Sequence, residues 1–363
     1  MKNFYIKPKI EFGENSLNFL KNNVNGKVFI VTDKSMVTLK LVDKITELLP
    51  KNSLVKIFDE VTPNPTTDVV EKGLKELVLF NPDVVIALGG GSPIDACKGM
   101  LYFGRKLKIT LNNKLFIAIP TTSGTGSEVT SYSVITEGNK KIALANEEML
   151  PDIAILNPEF MKTLPKKIIA DTGMDVFTHA LEAYVSKVAN PFTDAMALES
   201  LKLLNKNLVK HYNNAQDLEP RKNVQFASCL AGVAFNNSSL GINHSIAHTI
   251  GAKFHLSHGR ANAILLPYII KINENANERY EVLAKELNLE GKESFVKYIE
   301  NLKVTLGIEK SLSELNIDFQ EFQNLIPEML SEIKADICTE FNPNILTDEE
   351  YIKLLLKIYF GNL

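Results

Sequence analysis

The sequence predicts two domains of different class, an α/β domain over residues 1–160 and an all-helical domain over residues 161–363. Continuous apolar runs that end in polar turns recur in the first part, at 28–33, 83–92 and 115–128. Such runs are typical of parallel strands that are buried on both faces. After residue 165 this pattern stops, and helical periodicities follow at 168–188, 193–212, 222–238, 243–253 and 259–276. A chain of 363 residues also suits two cores better than one.

The composition excludes several classes of protein. Hydrophobic residues make up 45% and charged residues 23% of the chain, and the net charge is -3, so no strong field favours nucleic acid or an anionic membrane. The three cysteines form no CxxC pair, which argues against a disulfide framework. No apolar run reaches the roughly 18 residues that a spanning helix needs. We therefore expect a cytoplasmic protein that binds neither nucleic acid nor membrane.

Polar and glycine-rich turns follow three of the predicted strands. Gly89–Ser92 lead into a helix start, where backbone N–H groups can approach a pyrophosphate, although such a turn also occurs without a ligand. A second loop, Thr121–Ser127, also follows a buried strand, and Asn64 between two prolines marks a third rigid loop. Asp33 ends the first clear strand, where a carboxylate can bind ribose hydroxyls and repel a 2′-phosphate. Together these features predict a Rossmann-like dinucleotide-binding domain that prefers NAD, although the order differs from GxGxxG.

The histidines are unevenly distributed. The chain has six, and four of them fall within residues 244–258. His244 and His248 are four residues apart, so they share one helix face, and Asp175 and His179 have the same spacing on another predicted helix. One such pair alone is more often a helix-surface hydrogen bond than a metal site. The clustering beside a nucleotide-binding domain favours a metal site in the helical domain.

A candidate ligand set combines one carboxylate with three imidazoles. These donors suit Fe(II), Zn(II) or Co(II) better than Mg²⁺ or Ca²⁺, and they do not by themselves name the metal. His211 lies in a stretch rich in Lys and Asn and is predicted to be a solvated surface residue, whereas His255 is left unassigned. The predicted ligands are Asp175, His179, His244 and His258.

Four segments carry a resemblance to a known family. They are GGGSPIDACK, PTTSGTGSEVTS, DTGMDVFTHALEAYVS and NHSIAHTIGAKFHLSHGRANAILLP. With these segments the chain resembles the iron-containing (group III) alcohol dehydrogenases along its whole length, and most closely their 1-propanol dehydrogenase branch. The resemblance implies a dehydroquinate synthase-like fold, with an α/β domain, a helical metal-binding domain and an active site in the cleft between them.

The resemblance also implies roles for individual residues. The four metal ligands are those named above, His248 matches a histidine beside the nicotinamide that is proposed for proton transfer, and Phe235 matches an aromatic residue near the substrate. Asp33 matches an aspartate associated with NAD preference. The positions expected to line the cofactor are Asn64, Gly90, Gly91, Ser92, Thr121, Thr122, Thr125, Thr130 and Lys141, and we add Asp95 from the glycine segment.

The predicted function is the metal-dependent interconversion of a short-chain primary alcohol and its aldehyde. The expected cofactors are Fe(II), with Zn(II) as the second choice, and NAD(H) in preference to NADP(H). Two alternatives stay open at this point: a glycerol-type polyol dehydrogenase of the same superfamily, and a dehydroquinate synthase-like lyase. The resemblance suggests a homodimer or larger homo-oligomer, and it leaves open a place inside a bacterial microcompartment.

Overall fold

The first unit of the protein, Tyr5–Thr163, is built on a six-stranded parallel sheet. The computed structural model describes residues 3–109, 111, 114–138 and 140–363. The strands of the sheet are β1 (Lys9–Phe12), β2 (Lys27–Val31), β3 (Leu54–Phe58), β4 (Val84–Gly89), β5 (Leu115–Pro120) and β8 (Ile153–Leu156). Two further strands, β6 (Tyr132–Glu137) and β7 (Lys140–Ala145), form an antiparallel hairpin.

The order of the strands brings the predicted loops to one edge of this sheet. The order is β1-β8-β5-β4-β2-β3, so β2 has β3 on one side and β4 on the other, and the chain reverses direction across the sheet at this point. Ligands of open α/β sheets bind outside the carboxyl ends of the strands at such a reversal. Asp33, Gly90 and Thr121 follow the carboxyl ends of β2, β4 and β5, which are neighbouring strands.

The helices of this unit connect the strands. They are α1 (Asn18–Asn23), α2 (Lys34–Thr38), α3 (Asp43–Thr46), α4 (Thr67–Phe80) and α5 (Gly91–Lys106). Every residue of β4 is buried, as the continuous apolar run predicts. Phe29, Phe58 and Met100 belong to the apolar core of this unit, so strands and α5 share one core.

The second unit, Leu164–Leu363 together with Asn3 and Phe4, contains many helices, and no strand occurs among its described residues. Its helices are α6 (Lys166–Val185), α7 (Pro191–Asn213), α8 (Leu218–Ser238), α9 (Ile242–Lys253), α10 (His258–Ile272), α11 (Asn277–Glu286), α12 (Gly291–Thr305), α13 (Phe319–Ala335) and α14 (Asp348–Phe360). The predicted fold class, a Rossmann-like α/β part followed by an all-helical part, is therefore confirmed. In the parts of the chain that the structure describes, we find no helix long and apolar enough to cross a membrane.

Helix α6, which carries two of the candidate ligands, is deeply buried. It is buried almost continuously from Ile169 to Val185 and packs against α7, α8 and α10.

Neighbouring α7 begins with Pro191 after the capping residue Asn190, as a proline at the first helical position predicts. One prediction is wrong here: His211, near the end of α7, is 1% exposed and not solvated. Lys206, Lys210 and Asn213 are exposed, whereas His211 lies on the buried face of α7 with Asn207 and Leu208.

Candidate metal centre

Four side chains converge within the helical unit. Asp175 and His179 come from α6, His244 from α9 and His258 from the first residue of α10. Each offers one ligand atom, and these atoms all lie within 4.8 Å of one another. The side chains of Asp175 and His244 are 4% and 1% exposed, whereas that of His258 is 30% exposed, so the cluster opens on the His258 side.

The cluster fits a divalent transition metal. Imidazole nitrogens and carboxylate oxygens bind such ions at about 2.0–2.2 Å, so ligand atoms around one ion lie up to about 4.4 Å apart. The observed limit of 4.8 Å differs from this by a few tenths of an ångström. Burial raises the pKa of Asp175 to about 7. The hydrogen bond from Asn262 lowers this pKa, whereas the negative charges of Asp171 and Glu182 raise it further. A bound cation favours the ionised carboxylate, so metal binding at this cluster releases protons.

His244 is oriented by a buried carboxylate. Glu182, one turn after His179 on α6, shares a hydrogen bond with Nδ1 of His244 and accepts another from the backbone N–H of Asn243 at 2.8 Å. Burial raises the pKa of Glu182 to about 8, although hydrogen bonds from the backbone of Gly241, Asn243 and His244 oppose this shift. Because Nδ1 is engaged, Nε2 of His244 is the nitrogen that faces the cluster, which is the usual arrangement for a metal-binding histidine.

Asn262 supports the same cluster from α10. It lies one turn after His258, and its Nδ2 donates to Oδ1 of Asp175 at 2.7 Å. The same nitrogen lies 3.1 Å from Nε2 of His244 and 3.2 Å from Nε2 of His258. Oδ1 of Asn262 accepts from Nδ2 of Asn243 at 2.9 Å, which fixes the orientation of the amide. Asn262 therefore orients Asp175 by a hydrogen bond and lies next to the ring nitrogens of His244 and His258.

A close approach between α10 and α6 positions His258. A Cβ atom on Gly259 would lie 2.0 Å from the backbone oxygen of Asp171, so only glycine fits there. The next residue, Arg260, pairs with Asp171 at 2.7 Å and with Glu309 at 2.8 Å. Ser257 donates to the other oxygen of Asp171 at 2.7 Å. The residues on both sides of His258 are thus fixed to α6 one turn before Asp175.

His248 lies beside the cluster without joining it. It is one turn after His244 on α9, and its ring stacks on that of His258 with centroids 5.1 Å apart. Its Nδ1 lies 2.7 Å from Oδ2 of Asp336, just after the end of α13. Burial would raise the pKa of Asp336, but the hydrogen bond and charge of His248 outweigh it and hold that pKa well below its usual range.

Phe235 on α8 contacts the cluster directly. Its ring stacks on the ring of His179, with centroids 4.6 Å apart and an interplanar angle of 27°. Phe235 is 5% exposed. The structure therefore places this predicted substrate-side residue against a candidate ligand, where it forms an apolar wall.

The candidate cofactor residues lie in the α/β unit. Asp33 caps the N-terminus of α2, and its Oδ1 accepts from the backbone N–H of Ser35 at 2.7 Å and of Met36 at 3.2 Å. Gly90 caps α5, and a Cβ on Gly91 would lie 2.7 Å from Cγ2 of Thr125, so the two loops pack closely. The backbone N–H of Thr121 donates to the carbonyl of Gly89 at 2.9 Å, which joins the same two loops at their origin.

Asp95 joins these loops from within. Its Oδ1 accepts from Oγ of Ser127 at 2.6 Å, and its Oδ2 accepts from the backbone N–H of Val134 at 3.1 Å. Fully buried Lys98 donates to Oγ of Ser127 at 2.8 Å and to Oγ1 of Thr130 at 3.3 Å. Burial lowers the pKa of Lys98 to about 8, against the charge of Asp95. Asp95 thus holds the second loop and the β6–β7 hairpin against α5, and its contact with a cofactor stays a prediction.

The remaining cofactor candidates lie in the loop after β3, at the start of α5, in the loop after β5, and in the β6–β7 hairpin. Asn64 is exposed with a φ of 54°, in a left-handed conformation between two prolines. The adjacent carbonyl of Pro65 accepts from the backbone N–H of Thr136 in β6 at 2.8 Å. Lys141 lies opposite Thr136 in the hairpin, and burial lowers its pKa. Ser92 is half-buried at the start of α5, and Thr122 packs near Gly90.

Three residues that support the cluster or His248 are not among those predicted from the sequence: Glu182, Asn262 and Asp336. Two of them carry a local signal, since Glu182 is seven residues after Asp175 and Asn262 is four residues after His258, on the same helix faces. Asp336 carries no such signal, because it is 88 residues from its partner His248.

Comparison with known proteins places this geometry in a family. The family model of iron-containing alcohol dehydrogenase matches residues 7–158, and the model of the C-terminal part of the Fe-containing alcohol dehydrogenase family matches residues 169–359. The chain belongs to the iron-containing alcohol dehydrogenase family. The predicted resemblance is therefore confirmed, and the protein is an oxidoreductase that interconverts an alcohol and an aldehyde.

Individual relatives agree with this membership over the full chain. The chain is 40% identical to the NADPH-dependent butanol dehydrogenase of Clostridium saccharobutylicum over 99% of both chains. It is 38% identical to the 1-propanol dehydrogenase of Citrobacter freundii, over 95% of this chain and 96% of the relative. The solved iron-containing alcohol dehydrogenase of Thermococcus thioreducens superposes with a TM-score of 0.93 at 32% identity, covering 99% of this chain and all of that one.

Proposed function

We propose that this enzyme interconverts a short-chain primary alcohol, of the size of propanol or butanol, and its aldehyde, with Fe(II) as the metal and NAD(H) as the cofactor. The observation that carries the proposal is the cluster of one carboxylate and three imidazoles, whose ligand atoms lie within 4.8 Å. Two relatives, a butanol dehydrogenase and a 1-propanol dehydrogenase, support this size of substrate.

The roles of the residues follow from their contacts. The metal would be held by Asp175, His179, His244 and His258, with Glu182 and Asn262 orienting these ligands. When bound, a divalent cation polarises a carbonyl oxygen and stabilises the alkoxide that hydride transfer creates. His248 gives a proton to that oxygen in aldehyde reduction and takes it in alcohol oxidation. Phe235 forms an apolar wall that excludes water and larger polar substrates.

The preference for NAD(H) rests on Asp33. Its Oδ1 is engaged in capping α2, and among the described residues we find no hydrogen bond to Oδ2, which leaves that oxygen for ribose hydroxyls. A carboxylate at this position repels a 2′-phosphate. One relative is named NADPH-dependent, so the cofactor must be measured for this chain. We further propose that residues 1–160 bind the cofactor and residues 161–363 bind the metal.

Neither alternative is favoured by an observation. A dehydroquinate synthase-like lyase needs free cations for an acidic phosphorylated substrate, but Arg260, two residues after His258, is paired with Asp171 and Glu309. A glycerol-type polyol dehydrogenase would need fewer protein ligands than the four that converge here. The expected homodimer or larger assembly, the cytoplasmic location and an association with a bacterial microcompartment stay predictions.

The test uses protein stripped of metal and reloaded without oxygen with Fe(II) or Zn(II). The oxidation of NADH by propionaldehyde is followed by absorbance, with NADPH and glycerol oxidation by NAD as parallel assays. We expect turnover only after reloading, faster with Fe(II) and with NADH. Turnover by the metal-free protein would refute the proposal. Absence of turnover with both Fe(II) and Zn(II) across several short aldehydes would also refute it. A higher rate with glycerol would favour the polyol dehydrogenase.

A further inference from the structure

Helix α9 carries two histidines that are held in the same way. Nδ1 of His244 is bound by Glu182 from α6, and Nδ1 of His248 is bound by Asp336, which follows α13. In the first pair this contact leaves Nε2 to face the metal cluster. In the second pair it leaves Nε2 of His248 as the nitrogen available for proton transfer.

Asp336 is itself rigidly held. Its Oδ1 accepts from the backbone N–H of Cys338 at 2.9 Å and from Oγ of Ser245 at 3.2 Å. Oγ1 of Thr339 lies 2.8 Å from Oγ of Ser245 and extends this network. Only Oδ2 remains for His248, at 2.7 Å, and the two side chains are 15% and 17% exposed. Because an ionised carboxylate only accepts, Nδ1 of His248 must be the donor.

We propose that Asp336 is a positioning residue that fixes the tautomer of His248, so that the ring takes and gives the catalytic proton at Nε2. The inference rests on the proposed function, because it assumes that His248 transfers this proton. It adds a residue from a distant segment of the chain to the working site, and it explains why a charged group is nearly buried after the end of α13.

Two substitutions separate this role from a merely structural one. In Asp336→Asn, the Cys338 N–H keeps the amide oxygen at the Oδ1 position, so the NH₂ group faces His248 and donates to Nδ1. This reverses the tautomer and places the hydrogen on Nε2. In Asp336→Ala, neither tautomer is imposed. We therefore expect Asp336→Asn to lower kcat more than Asp336→Ala does, by about 100-fold or more for Asn and by about tenfold for Ala.

The matched control is Glu332→Gln. Glu332 also connects α13 to α9, through Lys253 at 2.9 Å, but it does not touch His248. It should leave kcat, metal content and NADH affinity unchanged. The Asp336 variants should also keep their metal content and NADH affinity, so that only kcat falls. An Asn variant as active as the wild type, or milder than Ala, would overturn the inference.

The nitrogen shifts of His248 test the tautomer directly. In Zn(II)-loaded protein with ¹⁵N-labelled histidine, the wild-type signal should report hydrogen on Nδ1, and the signal of Asp336→Asn should report hydrogen on Nε2. Hydrogen on Nε2 in the wild type would refute the inference. The variant His248→Ala separates the two levels of the argument. If His248→Ala kept full turnover, His248 would not transfer the proton, and the kinetic role of Asp336 would fall with it. If His248→Ala lost turnover but Asp336→Asn did not, only the positioning role of Asp336 would be refuted.

Discussion

Gly259 gives the sharpest test of how the helical unit positions its candidate ligands. In Gly259→Ala, the new Cβ would lie 2.0 Å from the backbone oxygen of Asp171, whereas real Cβ atoms essentially never come closer than 3.0 Å to such an atom. The start of α10 must therefore move away from α6 by about 1 Å or more. Metal sites tolerate ligand displacements of only about 0.2 Å. His258, the preceding residue, would move out of reach of the ion.

Two magnitudes follow from this displacement. Overpacking of a buried contact typically lowers the free energy of unfolding by about 1–3 kcal/mol. Loss of ligand positioning typically lowers metal affinity by about 10–100-fold, which corresponds to about 1.4–2.8 kcal/mol. We expect Gly259→Ala to show both effects, with metal content and turnover falling together.

The assay combines urea unfolding with competition for Zn(II) by a chromophoric chelator. The matched control is Gly251→Ala on α9, where the nearest atom to a new Cβ, the oxygen of Leu256, is at an ordinary 3.4 Å. There alanine should stabilise the helix by up to about 1 kcal/mol and leave metal affinity unchanged. If Gly259→Ala binds zinc as tightly as the wild type, then the approach of α10 to α6 does not position His258.

Further variants test other parts of the structure. His258→Ala should lose metal and turnover yet still bind NADH in calorimetry, whereas its neighbour His255→Ala should retain both; equal metal content in the two variants would contradict the ligand assignment. Asp33→Asn keeps a good helix cap but removes the charge, so it should raise kcat/KM with NADPH relative to NADH; an unchanged ratio would argue against Asp33. Burial and the charge of Arg221 lower the pKa of His211 from 6.5 to about 4, so the unfolded chain binds the proton first and stability is lost as the pH falls through this range. Between pH 6.5 and 4, the free energy of unfolding measured with urea should fall by at most about 3 kcal/mol more for the wild type than for His211→Gln. If the two proteins showed the same dependence of this free energy on pH, the lowered pKa of His211 would be contradicted.

The parts of the fold that the sequence predicts are those set by local patterns. The buried strand β4 follows from a continuous apolar run, and α6 and α9 follow from their helical periodicity. Spacing of four residues is also local, which is why His179 and His244 could be selected as candidates before any contact was known. His211 shows the limit of this approach, because the composition of its neighbours does not determine which face of α7 it occupies.

Contacts between distant segments need the tertiary structure. Glu182 meets His244 across 62 residues, and Asp336 meets His248 across 88 residues. Neither spacing is related to a helical or strand period. The position of the segment after α13, which contains Asp336, relative to α9 depends on packing, which a single sequence does not specify. The candidate ligands can thus be selected from the sequence, and Glu182 and Asn262 lie on their helix faces, whereas the contact between Asp336 and His248 cannot be derived from sequence spacing.

Membership of one sequence motif does not give residues one role. In GGGSPIDACK, glycine is required at position 91 because a Cβ there would lie 2.7 Å from Cγ2 of Thr125. Binding of a phosphate by the backbone N–H groups of the glycines stays a prediction. Asp95 belongs to the same motif, but both of its oxygens accept hydrogen bonds from Ser127 and Val134, and Lys98 is fully buried beside it. Asp95 and Lys98 are linked through Oγ of Ser127, and the desolvation of two buried charges offsets much of their attraction. What Asp95 and Lys98 do contribute is position, because their hydrogen bonds to Ser127 fix the second loop against α5.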